Sequence, residues 1–215
     1  MIISFFGPDG SGKTTLSKIL KEYISRRGYK TRHIRLRSHH LAMYMLLTIM
    51  RKLGLVPHTY SPRILTYSIK RYFNNNRLFV YLELINIVIW VMINVKMRKF
   101  FTRSVVIAER YIPDFIVDML LLSPNKKTLE LLIRTLAPFM RGTIKILLYA
   151  TPDDILKRKK DEELSRRYLN AQLLLYDIVA RRLGVDLVLN TSKYDKATSF
   201  AKIKQLLSKW QLLSS

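Results

Sequence analysis

The stretch ISFFGPDGSGKTTLSKIL (residues 3–20) decides the fold. An apolar run breaks into three glycines, followed by a lysine, two threonines and a helical pattern. Gly7, Gly10, Gly12, Lys13 and Thr14 occupy every fixed position of G-x-x-x-x-G-K-[ST]. Of the 7 glycines in the chain, three fall inside this loop, so it is not an ordinary turn. Glycine lets successive backbone N–H groups curl around an anion where a Cβ would clash. The helix that follows adds the positive end of its dipole. The expected phosphate-binding set is Gly7, Asp9, Gly10, Ser11, Gly12, Lys13, Thr14 and Thr15. Lys13 would neutralise β- and γ-phosphate oxygens, and the Thr14 hydroxyl would ligate Mg²⁺. The expected ligand is therefore a nucleoside triphosphate with Mg²⁺.

Working outward, residues 1–6 read as a buried parallel strand and 13–27 as the helix after it. Further strands are expected at 30–36, 104–110, 143–150 and 185–190. Helices are expected at 113–122, 125–139 and 195–212. A helical pattern also runs through 151–184, opened by Thr151-Pro152 as cap and first helical residue. Short apolar strands alternating with helices predict a parallel sheet covered on both faces. The 215 residues suffice for one α/β domain, 1–215.

Composition narrows the partners. The net charge is +23, and between Glu22 and Glu109 the only acid is Glu83, while lysines and arginines recur from Arg26 to Arg103. That balance favours polyanions: nucleotides, nucleic acid or an anionic membrane surface. With no cysteine, disulfides and thiolate metal sites are excluded. The histidines (His33, His39, His40 and His58) lack a metal-binding spacing. No N-terminal leader is expected, because the loop begins almost at once, and a cytoplasmic location follows as the expectation. The apolar run at 78–95 has nearly the length of a membrane span. Because it carries Glu83, Asn86 and Asn94, it is expected to be a core helix, with membrane contact as the alternative.

Residues 7–15, GPDGSGKTT, resemble the loop of the thymidylate kinases, which are P-loop nucleoside monophosphate kinases. Glu109-Arg110-Tyr111, after VVIA, is similar to the Asp-Arg-Tyr with which that family ends its third strand. The stretch ILLYATPDDILKRKKDEELSRRY is similar to its strand, proline-acid helix start and basic lid. VDLVLNTSKYDKATSFAKIKQLL resembles its closing strand, adenine-side loop and last helix. The resemblance implies a three-layer fold with a five-stranded sheet in the order 2-3-1-4-5. It also implies a lid at about 157–168 and an acceptor-binding helical region at about 38–100.

For the site, the resemblance implies that Lys13, Glu109 and Arg110 are catalytic, with Arg158 and Arg166 or Arg167 contributed by the lid. Glu109, with Thr14, would serve Mg²⁺. Asp9 would accept the hydrogen bond of an acceptor sugar hydroxyl. Arg37, with Arg35 as its alternative, would hold the acceptor phosphate beside Arg110 and Tyr111. Such kinases are commonly dimers through helices, which makes 78–95 a candidate face.

Departures from the family weaken thymine recognition. The Phe-Pro before the acceptor arginine is replaced by Ile34-Arg35-Leu36-Arg37, and the usual serine after Glu109-Arg110-Tyr111 is replaced by Asp114. The expected reaction is phosphoryl transfer from ATP to a nucleoside monophosphate, dTMP to dTDP first. A polynucleotide 5′-end, a sugar or a lipid headgroup is the alternative acceptor. A P-loop ATPase or binding module is the remaining class.

Overall fold

The structure is a computed structural model that describes residues 1–35, 77–93, 104–122, 124–159 and 165–210. Five strands form one parallel sheet: β1 (Ile2–Phe6), β2 (Thr31–Arg35), β3 (Val105–Glu109), β4 (Thr143–Tyr149) and β5 (Leu187–Asn190). Their spatial order, β2-β3-β1-β4-β5, is the expected one. The described helices are α1 (Lys13–Arg26), α2 (Arg77–Val91), α3 (Ile112–Leu122), α4 (Lys126–Leu136), α5 (Pro152–Arg158), α6 (Arg166–Leu183) and α7 (Lys196–Lys209). A 3₁₀ turn, Ala137–Met140, follows α4.

Alternation along the strands divides the core into two layers. Ile3 and Phe5 of β1, with Ile107 and Ile146, pack against Leu16, Leu20 and Ile24 of α1 and Ile203 and Leu207 of α7. Ile2 and Phe6 face the other way, toward α2, α3, α4 and α6. All five residues of β1 are buried, as a central strand covered on both faces requires.

Helix boundaries follow local chemistry. Asn125 caps α4 by accepting from the Thr128 N–H at 2.7 Å, and Asp195 caps α7 through Thr198 N–H at 2.8 Å. The helical pattern at 151–184 is two helices. Thr151 caps α5, while Ser165 starts α6 by accepting from Tyr168 N–H at 3.1 Å. A second cap in mid-pattern marks a new start, which apolar periodicity alone does not show.

The helix expected in the core, 78–95, is a covering helix where it is described. Val80, Leu84, Ile87 and Val91 of α2 are buried, whereas Tyr81, Leu82, Ile85 and Ile89 on its other side are exposed, as are Met92 and Ile93 beyond its end. Among the described residues no helix is long and apolar enough to cross a membrane.

The strand order positions the site. The chain leaves β1 for the far side of β3, then returns to the opposite side at β4, so β1 is the point where the winding reverses. Ligand crevices in open α/β sheets form at the carboxyl ends of strands at such a point. Phe5 is paired in register with Glu109, which brings the loop after β1 beside the end of β3.

Candidate active site

The loop after β1 is held by its glycines and by Lys13. Gly7 has a φ of 138°, and a Cβ there would lie 1.8 Å from the Leu148 carbonyl oxygen of β4, so only glycine fits. Gly12 is also left-handed, with a φ of 88°, and it caps α1 without a side-chain hydrogen bond. The first turn of α1 contains no acid, so its N–H groups and dipole are left for an anion. Lys13 is buried, and its ammonium donates to the carbonyls of Gly7 and, at 2.8 Å, Pro8. Burial pulls its pKa below the ordinary lysine value, while Asp114, Asp9 and Glu109 hold it up.

Thr14 and Glu109 meet. The Thr14 hydroxyl donates to Glu109 Oε1, joining the first turn of α1 to the end of β3. Glu109 is buried at 1% exposure, which alone would raise its pKa. The nearby His33 ring, the Thr14 hydrogen bond and the charge of Arg35 outweigh burial and hold it down at about 2. His33 Nε2 lies 3.5 Å from Glu109 Oε2, and Arg35 Nε lies 3.6 Å from Oε1. At that distance the histidine contact is electrostatic, and Oε2 has no hydrogen-bond partner among the described residues.

An ionised, buried carboxylate with a free oxygen beside a threonine hydroxyl fits Mg²⁺. This ion takes few protein ligands and completes its shell with water and phosphate oxygens. Among the described residues there is no group of three or more acids or histidines that could hold a metal.

Asp9 and Arg110 form the other side of the crevice. Arg110 Nη2 donates to Asp9 Oδ1, and Lys13 and Lys159 lie 3.5 and 3.8 Å from that carboxylate. Burial raises the Asp9 pKa, and the cations Lys13, Arg110 and Lys159 bring it down to about 2. Arg110 is itself the one described non-glycine residue with positive φ, at 54°. Its backbone N–H continues the sheet by donating to Phe5 O at 3.1 Å. The left-handed turn therefore comes immediately after the last sheet bond, at a cost of about 1 kcal/mol or more.

The lid residues separate. Arg158 reaches the loop: Nη1 donates to Gly10 O at 3.1 Å and Thr191 Oγ1 at 3.0 Å, and Nη2 to Thr191 O at 2.8 Å. Arg166 instead pairs with exposed Asp153. Arg167 is exposed, and no hydrogen bond or ion pair joins it to the loop among the described residues. Tyr111, expected at the acceptor, is wholly buried in the core, because the turn at Arg110 sends the next side chain back under the sheet. Thr15 is exposed on α1, and Ser11 is buried in the loop. Arg37, with His39, His40 and His58, lies outside the described residues.

Sequence reasoning passed over Thr191, gave His33 and Asp114 no task, and placed Lys159 only within the basic lid. Basic residues near the phosphate loop were one available signal, and the replacement of serine by Asp114 was another.

Two solved structures are similar over nearly the whole chain. Thymidylate kinase from Ehrlichia chaffeensis matches with a TM-score of 0.56 and 17% identity, covering 96% of this chain and 98% of that one. The YorR protein from Bacillus subtilis, solved in complex with phosphorylated GDP, matches with a TM-score of 0.55 and 15% identity, covering 97% and 96%. The fold is thymidylate kinase-like. No protein-family model and no curated protein matches the sequence. Within this fold the Thr14–Glu109 pair joins the phosphate loop's helix to the end of β3, and the Asp9–Arg110 pair joins the loop to the residue that follows it.

Proposed function

We propose that the chain transfers the γ-phosphoryl group of ATP to the phosphate of a nucleoside monophosphate, with dTMP as the first candidate. The observation that carries this reading is the Asp9–Arg110 pair, set beside Lys13 and the Thr14–Glu109 pair. An acceptor phosphate oxygen attacks the γ-phosphorus, the bond to the β–γ bridging oxygen breaks, and ADP and a nucleoside diphosphate leave. Loop amides and Lys13 hold the donor phosphates. Arg110 spreads positive charge over the migrating group. Asp9 orients Arg110 and accepts from an acceptor sugar hydroxyl. Thr14 and Glu109 would hold Mg²⁺, which supplies charge neutralisation between the β- and γ-phosphates when bound.

A different acceptor is the second reading. The stretch Ile34-Arg35-Leu36-Arg37 lacks the aromatic residue that would stack thymine, and the chain carries a net charge of +23. The exposed apolar side of α2 is the surface we assign to a second copy of the chain.

A panel of nucleoside monophosphates, including dTMP and GMP, with ATP and Mg²⁺ tests the assignment. Diphosphate formed from at least one of them supports it, and Arg110→Ala is then expected to lower kcat more than ATP affinity. Turnover confined to a sugar, lipid headgroup or oligonucleotide end selects the second reading. Acceptor-independent ATP hydrolysis would discard both.

A further inference from the structure

Asp114 is a buried acid to which the transfer chemistry above gives no task. It stands in the first turn of α3, and its Oδ1 accepts from the Gly7 N–H at 3.3 Å and the Tyr176 hydroxyl at 2.8 Å. Its Oδ2 is buried without a hydrogen-bond partner among the described residues. Lys13 and Arg110 face it as opposite charges, and Asp118, one turn along α3, faces it as a like charge. Asp9 from the loop acts on the same two cations, and Glu109 from β3 acts on Lys13. Tyr176, from α6, is the remaining titratable group against it, and burial pushes that phenol up.

A neutral acceptor at this position would satisfy both donors without a buried charge, which is costly to form. The charge has a use because Lys13 and Arg110 repel each other, and each is buried or partly buried. We propose that Asp114, held by Tyr176, is a positioning residue: it anchors the Gly7 N–H at the entry of the phosphate loop and supplies the negative charge that keeps Lys13 cationic and offsets its repulsion with Arg110, so that both align on one phosphoryl group. Tyr176 lies on α6, whose start at Ser165 falls inside the expected lid. The same contact therefore ties that helix to the loop. The inference rests on the phosphoryl-transfer reading for its catalytic consequence, and on the loop geometry alone for its effect on ATP binding.

Burial raises the Asp114 pKa to about 7, so its charge is lost within an accessible pH range. The test measures MgATP affinity by calorimetry and transfer rate between about pH 5.5 and 8.5, for the wild type, Asp114→Asn, Asp114→Ser and Tyr176→Phe. ATP's own titration is common to all four and cancels in the ratios.

Relative to Asp114→Asn, the wild type is expected to lose about tenfold in affinity as pH falls through about 7. Asp114→Asn and Asp114→Ser are expected to bind about tenfold more weakly at pH 8, with no acid limb of their own. Tyr176→Phe removes a bond that favours the carboxylate, so its acid limb is expected to move to higher pH. Thermal melts establish that each variant is folded, and Tyr176→Phe removes only one oxygen.

Wild-type affinity and pH profile in folded Asp114→Asn would overturn the inference. So would an unmoved acid limb in Tyr176→Phe. If the wild type binds MgATP yet phosphorylates no acceptor, the proposed function fails, and the affinity ratios still decide the role of Asp114.

Discussion

Lys13 is only 5% exposed, and its ammonium rests on the carbonyls of Gly7 and Pro8, so truncating it would remove packing as well as charge. Lys13→Met keeps most of the volume. It is expected to retain a melting midpoint near that of the wild type while transfer falls about a hundredfold or more, as loss of a principal electrostatic contact implies. Asp114 contributes differently, through the pH dependence of stability. Its pKa rises from 3.8 unfolded to about 7 folded, so the folded state binds more protons between those values. The stability it contributes is complete below about pH 4 and is lost as pH rises through about 7. Calorimetric melts should show that slope in the wild type and not in Asp114→Asn. The loop itself was readable in the sequence, because fixed glycine spacing reports a backbone that other residues cannot adopt. Asp114 was readable only as an oddity, since its partner Tyr176 lies 62 positions away and only the folded chain joins them.

At the scale of elements, the strands announced themselves as short apolar runs, because strands covered on both faces need no polar alternation. α2 hid its orientation for a related reason. A helix apolar on every side does not say which side is buried, and Glu83, buried at 0% exposure, gave no polar face to orient it. The break between α5 and α6 was concealed by a polar, charged stretch whose residues suit a helix as well as a loop. α4 offers a clean comparison of the forces holding a helix in place. Leu132 is fully buried, and Asn125 is a surface cap. Leu132→Ala is expected to cost about 3 kcal/mol and Asn125→Ala about 1 kcal/mol in denaturant unfolding. The reverse order would show that α4 is held mainly by its own terminus.

For the whole molecule, the sheet order was legible through resemblance, whereas the placement of the lid arginines was not. Charge shows that a helix face favours water or anions, and it does not select the arginine that turns toward the loop. Arg158 did so because α5 ends beside Gly10, while Arg166 found Asp153 instead. The exposed apolar residues Tyr81, Leu82, Ile85, Ile89, Met92 and Ile93 bear on assembly. If a second copy covers them, sedimentation will show a dimer, and Ile85→Glu combined with Ile89→Glu will release monomers. A wild-type monomer at micromolar concentration would remove that surface from consideration.

Through one guanidinium, Arg158 grips the carbonyls of Gly10 and Thr191, residues 181 positions apart along the chain. Thr191 returns the contact by donating to Ser11 O at 3.2 Å. The start and the end of the fold therefore share a mechanical clamp at the mouth of the crevice. Anything that stills the first loop should also still the last turn of chain beyond β5. Amide hydrogen exchange with and without MgATP would read this directly, as slowed exchange at residues 191–194 together with residues 9–13. Arg158→Ala should leave the second set protected and release the first.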